Sequence, residues 1–145
     1  MRRVLFVCVH NAGRSVMAEA LFNRLAGDEA EAVSAGTIPG GPPHPEVVEA
    51  MREAGIDVSA HRGRLLTDEM VNGADRVITM GCAVDEAACP AILYANVEDW
   101  GLPDPKGQNI ERVREIRDEI QRRIEALIRS FDLDRPRSNT PGLAG

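Results

Sequence analysis

Apolar positions along this chain fall into two rhythms. Val4-Leu5-Phe6-Val7 is an unbroken apolar run, the pattern of a strand covered on both faces. From Arg14 to Ala26 the apolar residues Val16, Met17, Ala20, Leu21 and Leu25 recur at three- and four-residue spacing, which predicts a helix closed by Gly27. Residues 31–35 read as a second short strand ended by Gly36. Gly40-Gly41-Pro42-Pro43 is a loop by composition. Pro45 then suits a first helical position, and Val47, Val48 and Met51 give a second helix its apolar stripe, ending near Gly55. Ser59 is placed to cap a turn, and residues 67–71 form a short helix with an acidic first turn. Residues 76–80 are a third strand and residues 91–96 a fourth, with a turn-rich loop from Trp100 to Pro105. Ile110, Val113, Ile116, Ile120, Ile124, Leu127, Ile128 and Phe131 mark a long amphipathic helix.

Strands alternating with helices predict an α/β fold: one three-layer domain with a four-stranded parallel sheet and helices on both faces, joined by right-handed crossovers. The domain is expected to span residues 1–131, and residues 132–145, rich in Arg, Pro, Ser, Asn and Gly, to form a disordered tail. Ligands of such sheets bind at the carboxyl ends of strands. The loops after the first, third and fourth strands should therefore gather at one rim.

Composition narrows the classes of function. At 145 residues, 43% hydrophobic and 28% charged, the chain is long enough to bury a core of its own. Its net charge of −6 argues against nucleic acid as a partner. No apolar run approaches the ~20 residues of a membrane span, and the apolar run after Arg2-Arg3 is too short for a signal peptide, so a cytoplasmic monomer is expected. Three cysteines in a reducing compartment do not form a structural disulfide framework. They invite a chemical reading.

That reading begins at Cys8-Val9-His10-Asn11-Ala12-Gly13-Arg14-Ser15, a polar loop between the first strand and the first helix. Backbone N–H groups from Val9 to Ser15 at a helix N-terminus make an oxyanion cradle. Its positive field favours the thiolate of Cys8, the Arg14 guanidinium matches two oxygens of a tetrahedral anion, and the Ser15 hydroxyl can donate to the sulfur. Cys8 is thus a candidate nucleophile, against the plainer alternative of a buried strand-end cysteine.

Two other features admit two readings each. Cys82 and Cys89 are separated by six residues, wider than zinc-ligand pairs usually are, and His10, His44 and His61 are scattered in sequence, so no metal is expected. The pair is either two unrelated small residues or a redox couple able to take over a disulfide begun at Cys8. Asp104, between Pro103 and Pro105, is either a turn residue or an acid able to protonate a leaving oxygen.

Taken together, these residues resemble the thioredoxin-coupled arsenate reductases, which share the fold of low-molecular-weight protein tyrosine phosphatases. The resemblance runs from Val4 to Phe131. It rests on Cys8-x5-Arg14-Ser15 with Met17-Ala18-Glu19-Ala20, on Ser34-Ala35-Gly36-Thr37, Gly55-Ile56-Asp57, Cys82 with Cys89-Pro90, Glu98-Asp99-Trp100-Gly101 and Asp104-Pro105. It implies a three-thiol relay. Cys8 attacks arsenate held by Arg14 and the loop amides, and Asp104 protonates the departing hydroxide. Cys82 attacks Cys8 and releases arsenite, and Cys89 leaves a Cys82–Cys89 disulfide for thioredoxin to reduce. No tightly bound cofactor is implied, since the electrons come from thioredoxin, and phosphate or sulfate would serve as substrate mimics.

The chain departs from the pattern at three places. His10 stands where many relatives have a small residue, and Gly13 replaces a loop cysteine of some. Some relatives hold a potassium ion through residues matching Asn11, Glu19 and Ser34, but the fourth, acidic position falls near Arg64 here. Two other functions fit the loop: a phosphatase working through a Cys8 phosphoenzyme, and a non-catalytic oxyanion-binding or redox-sensing protein.

Overall fold

Seven-residue strand β1 (Arg2–Cys8) owes its central place to its composition, since Val4, Leu5, Phe6 and Val7 are all fully buried. The computed structural model describes residues 2–80 and 97–134 of the chain. After β1 come α1 (Arg14–Ala26), β2 (Ala30–Gly36), α2 (Pro45–Glu53), α3 (Asp68–Asn72), β3 (Arg76–Thr79), β4 (Val97–Asp99) and α4 (Ile110–Asp134). All strand pairs are parallel and the sheet order is β2-β1-β3-β4.

The order fixes where a ligand can sit. From β1 the chain crosses to β2 on one side, whereas β3 is followed by β4 on the other. The carboxyl ends of β1 and β3 therefore flank the point where the winding reverses, the usual binding crevice of an open parallel sheet. Val7 pairs with Thr79 there, and the Met80 N–H donates to the Val7 carbonyl at 2.8 Å. Cys8 is the next residue of β1.

Alternate side chains of β1 feed two cores. Val4, Phe6 and Cys8 face α1, α2 and α4, whose Val16, Met17, Phe22, Met51, Val113, Ile116, Ile120 and Ile124 complete the larger cluster. Leu5 and Val7 face the opposite way, against Val71 of α3 and Val77. Helices thus cover both faces, as the alternation of elements predicts. The rings of Phe6 and Phe22 meet edge-on with centroids 6.1 Å apart, and Phe22 meets Phe131 at 6.3 Å.

Four details differ from the sequence reading. Leu25 is 42% exposed, because Phe22 rather than Leu25 seats between Phe6 and Phe131. The turn at residues 57–59 is held by Asp57, whose Oδ1 accepts from the Ser59 N–H at 2.9 Å, so the carboxylate takes the capping role expected of Ser59. Residues 97–99, between the expected fourth strand and the Trp100–Pro105 loop, form β4 because the edge of β3 offers them a ladder and the Arg76–Glu98 ion pair at 2.8 Å ties the strands. Strand residues expected at 91–96 lie outside the described residues. Helix α4 continues past Phe131 to Asp134, and residues 135–145 of the expected tail lie outside the described residues. Among the described residues no helix is long and apolar enough to cross a membrane.

Phe22→Ala should cost about 3–5 kcal/mol of folding stability by urea denaturation, as burial without collapse dictates. Leu25→Ala should stay within about 0.5 kcal/mol of wild type. Equal costs for the two would contradict this assignment of the α1 core face.

Candidate active site

The loop from Cys8 to Ser15 is shaped by where its carbonyls go. The Cys8, Val9, His10 and Ala12 carbonyls accept, in turn, from the N–H groups of Thr37 (3.3 Å), Ile38 (2.8 Å), Gly40 (2.9 Å) and His44 (3.1 Å). A trans peptide places its C=O and the following N–H on opposite sides. Four carbonyls turned outward to the segment after β2 therefore turn the N–H groups of Val9, His10, Asn11 and Gly13 inward. The Asn11 N–H confirms the sense, pointing at Cys8 Sγ from 3.3 Å.

Two residue choices allow this curvature. Asn11 adopts φ 52°, a left-handed conformation that Asn tolerates better than most residues. Gly36 must lack a side chain, since a Cβ there would lie 2.6 Å from the Val9 carbonyl oxygen. The end of β2 thus lies directly under the loop.

Cys8 is buried, with its sulfur 2.8 Å from Ser15 Oγ. Ser15 Oγ accepts from Asn11 Nδ2 at 2.8 Å, which leaves its own hydrogen for the sulfur. The Ser15 hydroxyl and the Asn11 N–H are thus both aimed at the one sulfur. Arg14 opens α1, and its Nη1 is anchored on the carbonyls of Met80 and, at 2.8 Å, of Leu102. The loops after β3 and β4 are thereby tied to the same guanidinium.

Asp104 lies in the loop after β4, exposed, with Oδ1 accepting from the Lys106 N–H at 2.9 Å. Its neighbour Pro105 is buried against the cradle, and a Cβ on Gly13 would come within 2.8 Å of Pro105 Cγ. Gly13 is therefore the seat on which the Asp104 loop rests. Cys82 and Cys89 lie outside the described residues; Cys82 follows Met80 by two positions, so the chain enters that segment from the rim carrying Cys8.

Behind the cradle is a polar network that joins Asn11, Glu19, Ser34 and Arg64, the positions grouped by the resemblance, and adds His61. Asn11 Nδ2 also donates to Ser34 Oγ at 3.0 Å, and Ser34 Oγ donates to Glu19 Oε1 at 3.0 Å. Asn11 Oδ1 accepts from His61 Nε2 at 3.1 Å and from the Arg64 N–H at 3.0 Å. Arg64 Nη1 reaches Glu19 Oε1 at 3.0 Å. Burial holds the His61 pKa below its ordinary value, outweighing the upward pull of the Glu19 carboxylate. A neutral His61 with its hydrogen on Nε2 fits that bond to Asn11, and the 3.7 Å between Nδ1 and Glu19 Oε2 is a contact rather than a hydrogen bond.

The three histidines, scattered in sequence, all border the loop. His10 belongs to it and its Nδ1 is 3.0 Å from the Ile38 carbonyl, His44 braces Ala12, and His61 braces Asn11. They do not converge, and among the described residues no three His, Cys, Asp or Glu side chains form a metal-binding group. Outward bracing by residues 37–44, and by His61 and Arg64, was not recoverable from local pattern. The only sequence signal was the density of Gly and Pro after β2.

Known proteins share this architecture. A family model described as low molecular weight phosphotyrosine protein phosphatase matches residues 3–137. Arsenate reductase 2 of Staphylococcus haemolyticus is 38% identical over 128 residues, which cover 87% of this chain and 95% of that protein. The structure of a Corynebacterium glutamicum thioredoxin-dependent arsenate reductase is similar with a TM-score of 0.75 and 39% identity, covering 93% of this chain and 64% of that one. An arginine phosphatase from Geobacillus stearothermophilus matches with a TM-score of 0.81 at 26% identity, covering 96% of this chain and all (100%) of that one. The fold, the cradle and these matches agree: the chain belongs to the low molecular weight phosphotyrosine protein phosphatase family.

Proposed function

We propose that this protein reduces arsenate to arsenite with electrons from thioredoxin. The observation that carries the reading is the conjunction of the Cys8 cradle with a rim from which the chain runs, two residues after Met80, to a second cysteine and then a third. The Staphylococcus haemolyticus and Corynebacterium glutamicum relatives support the same choice.

The chemistry balances as follows. The Cys8 thiolate attacks arsenic, a sulfur–arsenic bond forms, and one oxygen leaves as water after taking a proton from Asp104. The free edge of the Arg14 fork and the loop amides from Val9 to Ser15, those of Val9, His10, Asn11 and Gly13 facing inward, hold the remaining oxygens. The Cys82 thiolate then attacks Cys8 Sγ; the sulfur–arsenic bond breaks, its electron pair stays on arsenic, and arsenite departs as a Cys8–Cys82 disulfide forms. Cys89 attacks Cys82, freeing Cys8 and leaving a Cys82–Cys89 disulfide. Thioredoxin's dithiol reduces that bond and restores all three thiols.

A phosphatase reading shares the first step, and slow hydrolysis of small aryl phosphates is expected of this cradle because phosphate and arsenate have the same shape and charge. A phosphotyrosine substrate would want aromatic walls. Among the described residues Phe6, Phe22, Phe131 and Trp100 are instead buried in the core, Trp100 packed 5.7 Å from Phe6 with its Nε1–H on Glu98, while Tyr94 lies outside the described residues.

NADPH consumption with thioredoxin and thioredoxin reductase should depend on arsenate for the wild type. Cys89→Ser should stop after a single turnover. Absent arsenate turnover beside brisk aryl phosphate hydrolysis would make the protein a phosphatase; binding of phosphate with neither activity would make it an oxyanion binder. Gly13→Ala should lower kcat about 10- to 100-fold by displacing the Asp104 loop, as a misplacement on the order of 1 Å can. Phosphate affinity should change far less, and Pro105→Ala in the same chain should recover part of the loss. Unchanged kcat in Gly13→Ala would remove Asp104 from the mechanism.

A further inference from the structure

Glu19 presents a problem that the chain has to solve. Its carboxylate is only 16% exposed, and it sits behind the cradle in a network that ends on the reacting sulfur. The path runs from Glu19 Oε1 to Ser34 Oγ (3.0 Å), to Asn11 Nδ2 (3.0 Å), to Ser15 Oγ (2.8 Å) and to Cys8 Sγ (2.8 Å). A carboxylate taken largely out of water needs a positive partner. In some relatives, as noted above, a potassium ion lies among the matching residues.

The residues here do not suit a metal cation. A hard cation needs several oxygen lone pairs turned to one point. Asn11 Oδ1 already accepts two N–H groups, and Asn11 Nδ2 directs its hydrogens at Ser15 and Ser34. Glu19 Oε1 accepts both the Ser34 hydroxyl and Arg64 Nη1, which also approaches the Ser34 carbonyl at 3.4 Å. His61, the other basic group against Glu19, is kept neutral by burial and supplies no charge.

Arg64 is placed to supply it. Its N–H donates to Asn11 Oδ1 at 3.0 Å and its carbonyl accepts from the Gly36 N–H at 2.7 Å. Both ends of its backbone are thus clamped to the cradle and to β2, so the guanidinium starts from a fixed point. An ordinary surface ion pair contributes little because both side chains must be ordered from solvent. Here Arg64 is half exposed, but the carboxylate it meets is already fixed by Ser34.

We propose that Arg64 is a built-in counter-ion for Glu19, a positioning residue that holds the Cys8 loop through Ser34, Asn11 and Ser15 and makes a metal cation unnecessary. Its action on turnover rests on the reading of Cys8 as nucleophile; its action on the fold does not. Wild type, Arg64→Ala and Arg64→Lys are to be compared in potassium chloride and in choline chloride at equal ionic strength, by thermal melting and by arsenate turnover. Wild type and Arg64→Lys should behave alike in the two salts. Arg64→Ala should melt several degrees lower in choline and turn over about five- to tenfold more slowly, a coupling ordinary for residues of one network. Potassium should restore most of both losses by entering the vacated space. Should Arg64→Ala fold in neither salt, Arg64→Gln takes its place.

Potassium-specific stabilisation of the wild type would overturn the proposal. So would an Arg64→Ala protein that equals wild type in choline, or whose losses potassium leaves untouched. If no variant or wild type reduces arsenate, the functional reading fails while the melting comparison still decides the role of Arg64.

Discussion

A peptide group can face its carbonyl in only one direction, and the site depends on where four of them face. The segment from Thr37 to Gly40, with His44, takes the carbonyls of Cys8, Val9, His10 and Ala12. That commitment turns the opposing N–H groups towards the sulfur, so the cradle exists before any anion arrives. Preorganised donors need no rearrangement as charge moves onto an oxyanion, which is the largest contribution such a site can make. Asn11 at φ 52° and the bare backbone of Gly36 are what let the loop close to this radius.

The sheet then decides what meets the cradle. Because β1 and β3 are parallel neighbours, Cys8 and Met80 emerge side by side. Arg14 reads both flanking loops through the Met80 and Leu102 carbonyls. Gly13 seats Pro105, the chain neighbour of Asp104. The loop after β4 is therefore held to the Cys8 turn through two contacts on adjacent residues, Gly13 and Arg14.

Much of this was legible in the sequence, for physical reasons that can be named. An uninterrupted apolar run at residues 4–7 suits a strand covered on both faces, and a polar loop between strand and helix sets backbone amides at a helix N-terminus. The α4 stripe was equally plain, since Val113, Ile116, Ile120, Ile124 and Leu127 all reached the core. Legibility failed where a residue's role is set by a distant partner. Leu25 fits the α1 period, yet Phe22 wins the core because Phe6 and Phe131 leave a ring-sized space. Residues 97–99 carry little strand propensity and become β4 through the edge of β3. His61 looks like a loop residue until the fold lays it on Asn11, about fifty positions away in the chain. No local window holds that information.

The central claim is that one anion-capturing turn is converted from hydrolysis to reduction by two cysteines that follow β3. It is tested most directly by reacting the fully reduced protein with one equivalent of arsenate in the absence of thioredoxin, then mapping thiols and disulfides by mass spectrometry. The account predicts loss of two thiols, release of one arsenite, a disulfide joining Cys82 to Cys89, and Cys8 recovered free. Three intact thiols with the arsenate unreduced would contradict it, as would a product in which Cys8 remains in the disulfide.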